Sequence, residues 1–456
     1  NSTNFSYDHF ASRFANDLKF ADATESATLN YEMERWAPTV TGVQRCVGGT
    51  ISASGDNPPN EGKDKAFNQS GSDKWLGFMP NPWITYQFPN GGKYVITKYT
   101  IQSATASASA PRQPRDWQLQ GSTNALDWVV VDTRSNQSFP FMGAIITNDC
   151  SGNTNAYEYY RVYVTVNWGD GSLLEIAEIG MYGYDFFSPS YVWVQVPQLT
   201  GGSYIWAYWG NPAITVPPAC TTNGFTWDTD YAGVWHLTEV SATNAAIDST
   251  RYKNNATAAG SATPVTGKVA GSRALTGAQK FDAGGVNIAI KAFTLEAWAN
   301  STSSWTSGDN MWAGGGTTAS YQGLFGGFNG TFRMYFGIYN DDLIGTTDRS
   351  GDRGSWHHYA MVMDGSRVKT MYRDGILESA SAPNVSFYQS SGFVLGGTAG
   401  GGASFKGMLD EERVSAGVAR SANWIWASYM TVASNSTFCS FDRLPRYGLG
   451  TVITIR

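Results

Sequence analysis

Residues 363–375 read MDGSRVKTMYRDG. Apolar and polar residues alternate between two Asp-Gly pairs, Asp364-Gly365 and Asp374-Gly375. Alternation with period two puts successive side chains on opposite faces, as a half-buried strand requires, and Asp-Gly supplies the positive φ angles of tight hairpin turns. The pattern recurs in YVWVQVPQL, where Val192, Val194 and Val196 share one face and Trp193 takes the other. A chain built this way folds as sheets. Its composition agrees: 14% aromatic, only 15% charged, and 51 glycines to serve turns. At 456 residues it exceeds what one core supports, so several all-β modules are expected.

A formal charge of −6 argues against nucleic acid as a partner. No apolar run approaches the ~18 residues of a membrane span. Cys46, Cys150, Cys220 and Cys439 show no CxxC spacing, which sets zinc and redox motifs aside. Nine N-x-S/T sequons begin at Asn1, Asn4, Asn68, Asn136, Asn255, Asn300, Asn329, Asn384 and Asn435. They suit a secreted protein, and the absence of an initiator Met points the same way. The last seven are the candidate glycosylation sites.

Residues 4–36 contain DLKFAD and YEMERW, and residues 191–212 contain YVWVQVPQL and YWGNP. Together they resemble the two halves of a small β-sandwich family of unassigned function found in secreted proteins. Between them, KDKAFNQSGSDKW, PRDWQLQGSTNALDW and YYRVYVTVNWGDGSLLEIAEIGMYGY resemble the discoidin, or coagulation-factor C-type, jelly roll. That resemblance makes Trp117 and Trp128 core positions. DTDYAGVWHLTE, AFTLEAWANS and GMLDEERVSAG resemble the laminin-G-like, concanavalin-A-like sandwich. The expected division is residues 1–39 with 186–219, an inserted jelly roll at 40–185, a sandwich at 220–440, and a tail at 441–456. On this map Cys46 would pair with Cys150, and Cys220 with Cys439. The second bridge, closing a long loop, would contribute about 4–5 kcal/mol.

Catalytic motifs are scarce. There is no GxSxG, HExxH or Walker loop, and the histidines are His9, His236, His357 and His358. His236 reads as a structural position. Asp410, Glu411 and Glu412 are consecutive, so strand neighbours face apart and do not form a facing carboxylate pair. An enzyme is not the expectation. The jelly-roll resemblance implies a calcium site at Asn68, Asp73 and Glu178. The family's usual Asp is replaced by Asn68, which weakens the site for a hard cation unless Asp73 or carbonyls compensate. No other cofactor is implied. Trp168, Trp305 and Trp312, in loops rich in small polar residues, are candidates for stacking on sugar rings.

The chain closes with YGLGTVITIR, a strand pattern in which Leu449, Val452, Ile453 and Ile455 carry the apolar side. The resemblance implies a strand before NFSYDHFAS, where this chain starts. The closing strand could complete the first module of the next subunit, building a head-to-tail homopolymer by donor-strand complementation. It could instead complete its own module, or an earlier strand could have been removed. The leading expectation is a structural subunit of an extracellular filament. The alternative is a secreted, monomeric glycan-binding adhesin with glycans or cell surfaces as partners.

Overall fold

The computed structural model describes residues 10–455 apart from 13, 37–43, 186–188, 240–244, 289–291, 383–386, 389–391, 399–403 and 443–450. His9, Asn384 and Leu449 fall outside this set, as do Asn1 and Asn4. The fold is nearly all-β, with 44% strand against 9% helix. No described helix is long and apolar enough to cross a membrane.

The described strands form three groups around three large buried clusters. The first group has a five-stranded sheet, in the order Thr28–Leu29, Lys19–Ala21, Tyr204–Tyr208, Thr451–Ile455, Cys439–Asp442. It packs with a two-stranded antiparallel sheet of Tyr31–Arg35 and Tyr191–Val194. Phe20, Tyr31, Trp36, Ile205 and Trp209 fill the space between, with Val192, Val194 and Val196 against them. The alternating face read from YVWVQV is the face that meets this core.

Thr451–Ile455 lies between Tyr204–Tyr208 and Cys439–Asp442, antiparallel to both. The closing strand therefore completes the first sheet within its own chain. Ile453 stands opposite Ile205 and Phe441 and packs against the core. Val452 stands opposite Trp206 and Asp442, and Ile455 opposite Cys439. Cys439 thus belongs to this sheet and not to the sandwich it was expected to close.

The second group is a jelly roll. A five-stranded sheet, Thr50–Ala53, Trp83–Gln87, Tyr159–Asn167, Pro114–Ser122, Val129–Arg134, faces a three-stranded one, Ile145–Asp149, Tyr94–Gln102, Glu178–Asp185. Trp75 and Trp117 are fully buried between them, and the Trp117 indole donates to the Tyr99 hydroxyl at 2.8 Å. Gly121 is fixed by packing, because a Cβ there would lie 2.2 Å from the Tyr157 ring.

The third group is a sandwich of an eight-stranded and a seven-stranded sheet. The DG-flanked hairpin forms as read: His357–Met363 pairs with Lys369–Arg373, which pairs with Ile376–Ala380. Asp374 (φ 51°) and Gly375 (φ 73°) are both left-handed, as a tight two-residue hairpin turn requires. At the other turn the left-handed residue is Arg367 instead, and the Asp364 carboxylate caps the loop by accepting from the Ser366 and Val368 amides.

The two expected disulfides are not formed: all four cysteines are free thiols. Cys46 and Cys150 are both buried in the jelly-roll cluster. Burial pushes the Cys150 thiol up to about 12, so it is protonated and inert at neutral pH.

Candidate functional site

The outer face of the five-stranded jelly-roll sheet carries an open hollow of about 240 Å³. Alternation builds it. Ile84, Tyr86, Tyr160 and Val162 point into the core. Their neighbours Trp83, Thr85, Gln87, Tyr159 and Arg161 line the hollow, along with Thr50 and Ser52. Register places Thr85 beside both Ser52 and Arg161, and Gln87 beside both Thr50 and Tyr159. Trp128, delivered by the turn after Pro114–Ser122, forms the opposite wall with Ala125.

Three aromatic residues and one cation therefore converge. The Arg161 guanidinium lies 4.1 Å from the Trp128 ring centroid and 5.6 Å from that of Tyr163. Its Nε donates to the Gln120 carboxamide oxygen at 2.6 Å. Gln120 is steadied in turn by donating to Gln118 at 2.6 Å. Burial holds the Arg161 pKa below the usual arginine range, and among the described residues no carboxylate pairs with it. The Gln87 amide donates to Glu158 and to the Tyr159 hydroxyl, each at 2.9 Å. Half-buried ring faces with oriented amide and guanidinium donors suit a ligand that has apolar C–H faces and hydroxyl edges.

Trp128 is thus not a core residue, unlike Trp117. Arg161 stacks over it, and it is only partly buried. Sequence reading assigned it by resemblance. The available signal was its place after the Asn124–Asp127 turn, whose Asn124 side chain accepts from the Leu126 and Asp127 amides and turns the chain outward.

The three proposed stacking tryptophans separate. Trp168 is exposed (42%), with its indole donating to the Gln137 carbonyl, but it lies outside the hollow. Trp305 and Trp312 are buried in the sandwich core, 2% and 0% exposed, so neither meets a ligand. The loop folds Trp305 inward because its indole N–H finds the Gly308 carbonyl at 2.9 Å and its ring packs on Phe332. Among the sequons, Asn68, Asn136, Asn255 and Asn435 are exposed and Asn329 is partly so. Asn300, in the buried strand Phe293–Ser301, is only 6% exposed and is no glycosylation site as folded.

Asn68, Asp73 and Glu178 are brought together. Asn68 Nδ2 donates to both Asp73 oxygens, at 2.9 and 3.1 Å. The Gln69 amide donates to Glu178 Oε2 at 3.1 Å, with Gln69 in the left-handed region (φ 62°). Glu178 Oε1 is buried and makes no hydrogen bond. Burial pushes the Glu178 carboxyl up to about 8, although the Gln69, Ser70 and Asn68 amides favour its charged form. A carboxylate turned inward with one oxygen unused, beside a second carboxylate, fits a hard cation.

Residues 275–425 match the family model of the concanavalin A-like lectin/glucanases superfamily. No curated protein matches the chain. Solved structures with local likeness include chitosan-binding module 1 from a Paenibacillus sp. chitosanase/glucanase, at 18% identity and a TM-score of 0.25, covering 31% of this chain and 99% of that one. A Clostridium perfringens module in complex with GalNAc-β-1,3-galactose stands at 16% and 0.26, covering 31% and 100%. The F5/8 type C domain of a Bacteroides fragilis protein stands at 13% and 0.27, covering 34% and 98%.

Proposed function

We propose that this is an extracellular glycan-binding protein whose sugar site is the hollow on the jelly roll's outer sheet. The convergence of Trp83, Trp128 and Tyr159 around Arg161 and Gln87 carries the reading. A pyranose would stack its C–H face on Trp128 or Tyr159, with its hydroxyls taking hydrogen bonds from Arg161 and Gln87. The chain divides into the split first module, the inserted jelly roll, the sandwich and the tail that rejoins the first module. Asp410, Glu411 and Glu412 are each at most 2% exposed, so they offer no accessible carboxylate pair.

Glycan-array screening of the intact chain, followed by calorimetric titration of the best oligosaccharide, tests the site. Trp128→Ala should weaken binding about tenfold or more, equivalent to ~1.4 kcal/mol. Trp168→Ala should leave it unchanged. Wild-type affinity in Trp128→Ala, or no glycan bound by the wild type, would sink the proposal.

Calcium at Asn68, Asp73 and Glu178 is part of the same reading, supporting the jelly-roll loops from the side. Between pH 4.5 and about 8 the folded carboxyl of Glu178 keeps a proton that the unfolded chain releases. Its contribution to stability is therefore present at low pH and lost as pH rises through about 8. In chelator, the jelly-roll melting temperature should fall from pH 5 to pH 8. Millimolar Ca²⁺ should offset the fall, and Glu178→Gln should remove both effects. Melts that respond to neither pH nor Ca²⁺ would remove calcium from the account.

A second reading, head-to-tail assembly, is favoured by one observation. Cys439–Asp442 joins the sheet only through Thr451–Ile455, which also pairs with Tyr204–Tyr208. Exchange between copies would make the contacts seen within the chain and add one subunit at a time.

A further inference from the structure

The two-stranded sheet of Tyr31–Arg35 and Tyr191–Val194 does more than cover the first core. Its other face meets the sandwich at Tyr231–Trp235, the following His236 and strand Lys406–Ala416, and a polar cluster is buried between them. His236 Nδ1 lies 2.6 Å from Glu411 Oε1 and 3.4 Å from Glu34 Oε2, and His236 Nε2 lies 3.6 Å from Glu32 Oε2. The His236, Glu34 and Glu411 side chains are 6%, 1% and 1% exposed. One ligand atom from each of these three lies within 4.8 Å of the others.

Each carboxylate is held by a separate donor. Arg413 bonds Glu411 Oε2 at 2.5 Å, and the Trp193 indole bonds Glu34 Oε2 at 2.7 Å. Glu32 takes the Trp227 indole at 2.6 Å and the Ser249 hydroxyl at 2.7 Å. Two buried atoms inside this cage make no hydrogen bond, His236 Nε2 and Glu34 Oε1. Leaving Glu34 Oε1 unmatched is costly, and a cation held by that carboxylate would take it up, while His236 Nε2 faces Glu32.

We propose that Glu34, His236 and Glu411 form a binding site for one divalent transition-metal ion of the zinc class, which ties the first module to the sandwich. The donor set, one imidazole and two carboxylates, suits a borderline cation. With metal–ligand bonds of ~2.1 Å, ligands of a tetrahedral site stand ~3.4 Å apart. The contact from His236 Nδ1 to Glu34 Oε2 already has that spacing. Glu32, Glu34 and Glu411 outnumber the one guanidinium bonded into the cluster, Arg413, so a dication adds charge of the sign it lacks. The ligands must be unprotonated to bind, so affinity should rise with pH. The indole and guanidinium donors orient the carboxylates, as the partners of metal ligands do elsewhere.

The test uses the whole chain, stripped with chelator and titrated at pH 7.5 with Co²⁺ followed by visible absorbance, then with Zn²⁺ in competition. One ion per chain, a visible Co²⁺ spectrum and a raised melting temperature are expected. Glu34→Gln and His236→Gln should each weaken binding on the order of 100-fold, and Trp193→Phe about 10-fold. Trp168→Ala, on the exposed surface of the jelly roll, should not change it. Should His236→Gln fail to fold, Glu34→Gln decides alone, since it keeps the shape and the Trp193 contact. No spectrum up to millimolar Co²⁺, or a spectrum that survives Glu34→Gln unchanged, would overturn the site.

Discussion

A chain ending at Asp442 is expected to lose the first module's fold while the jelly roll and sandwich keep theirs. Removing Thr451–Ile455 strips ladder pairing from Tyr204–Tyr208 on one side and from Cys439–Asp442 on the other. Each ladder hydrogen bond is worth ~0.5–1.5 kcal/mol net, and two sheet edges are left open at once. Ile453 also leaves the core it packs against. Calorimetry should show one transition missing or moved far down, and limited proteolysis should cut within residues 10–36 and 191–212. Ile453→Asp should reproduce the loss, because a carboxylate placed against that core costs several kcal/mol. A synthetic TVITIR peptide should restore the transition in the truncated chain. Unchanged calorimetry would refute the role given to the strand. Sedimentation of the full-length chain across a concentration series separates the two ways of filling the slot. A constant monomer means the strand serves its own chain, and growth that the truncation abolishes means it is exchanged.

The second large effect is expected at Arg413. Its guanidinium is buried, bonds Glu411, and lies 4.3 Å from the Trp193 ring and 5.0 Å from the Trp227 ring. Burial alone would raise the Glu411 pKa, but the charges of His236 and Arg413 outweigh it and hold the carboxyl down at about 2. Arg413→Ala leaves that carboxylate buried with half its compensation gone, and removes the cation between two indoles. Breaking one partner of a buried pair typically costs about 3–5 kcal/mol. For a unit the size of the sandwich this lowers the melting temperature on the order of 10 °C. Arg413→Met with Glu411→Gln should recover most of the loss, because replacing both charged partners leaves no stranded ion. A single variant as stable as wild type, or a double variant worse than the single, would show that the pair is not what holds the contact.

The strands and turns were legible because period two and the Asp-Gly turn are local properties. Asp374-Gly375 needed nothing beyond itself to fold. The relation between residues 4–36 and 191–212 was legible only through resemblance, and the structure pairs Tyr31–Arg35 with Tyr191–Val194. Burial of loop aromatics was not legible. Trp305 and Trp168 sit in similar loops, yet one indole finds a carbonyl inside its own loop and the other finds one at the surface. Trp128 was misassigned for the same reason: a strand-end aromatic faces in or out according to the turn before it. The run of Asp410, Glu411 and Glu412 was read as an exposed-or-buried alternation. It is buried throughout because both faces of the strand are covered, and Glu411 takes a left-handed backbone (φ 51°) that interrupts the alternation. No local pattern announces that His236 and Glu34 meet, since they belong to different sheets and are joined only by packing.

The first sheet draws its strands from three separated parts of the chain, and that has a consequence for how the protein is made. Domains generally mature in the order in which they leave the ribosome. The jelly roll has all its described strands by Asp185, and the sandwich has its own by Ala416. The five-stranded sheet cannot close until Thr451–Ile455 has emerged. The region that begins first therefore finishes last, after two finished bodies have already formed beside it. A nascent chain that has not yet released Thr451–Ile455 carries an unfinished first module with an exposed sheet edge. Emergence of that strand is thereby recorded in the fold itself.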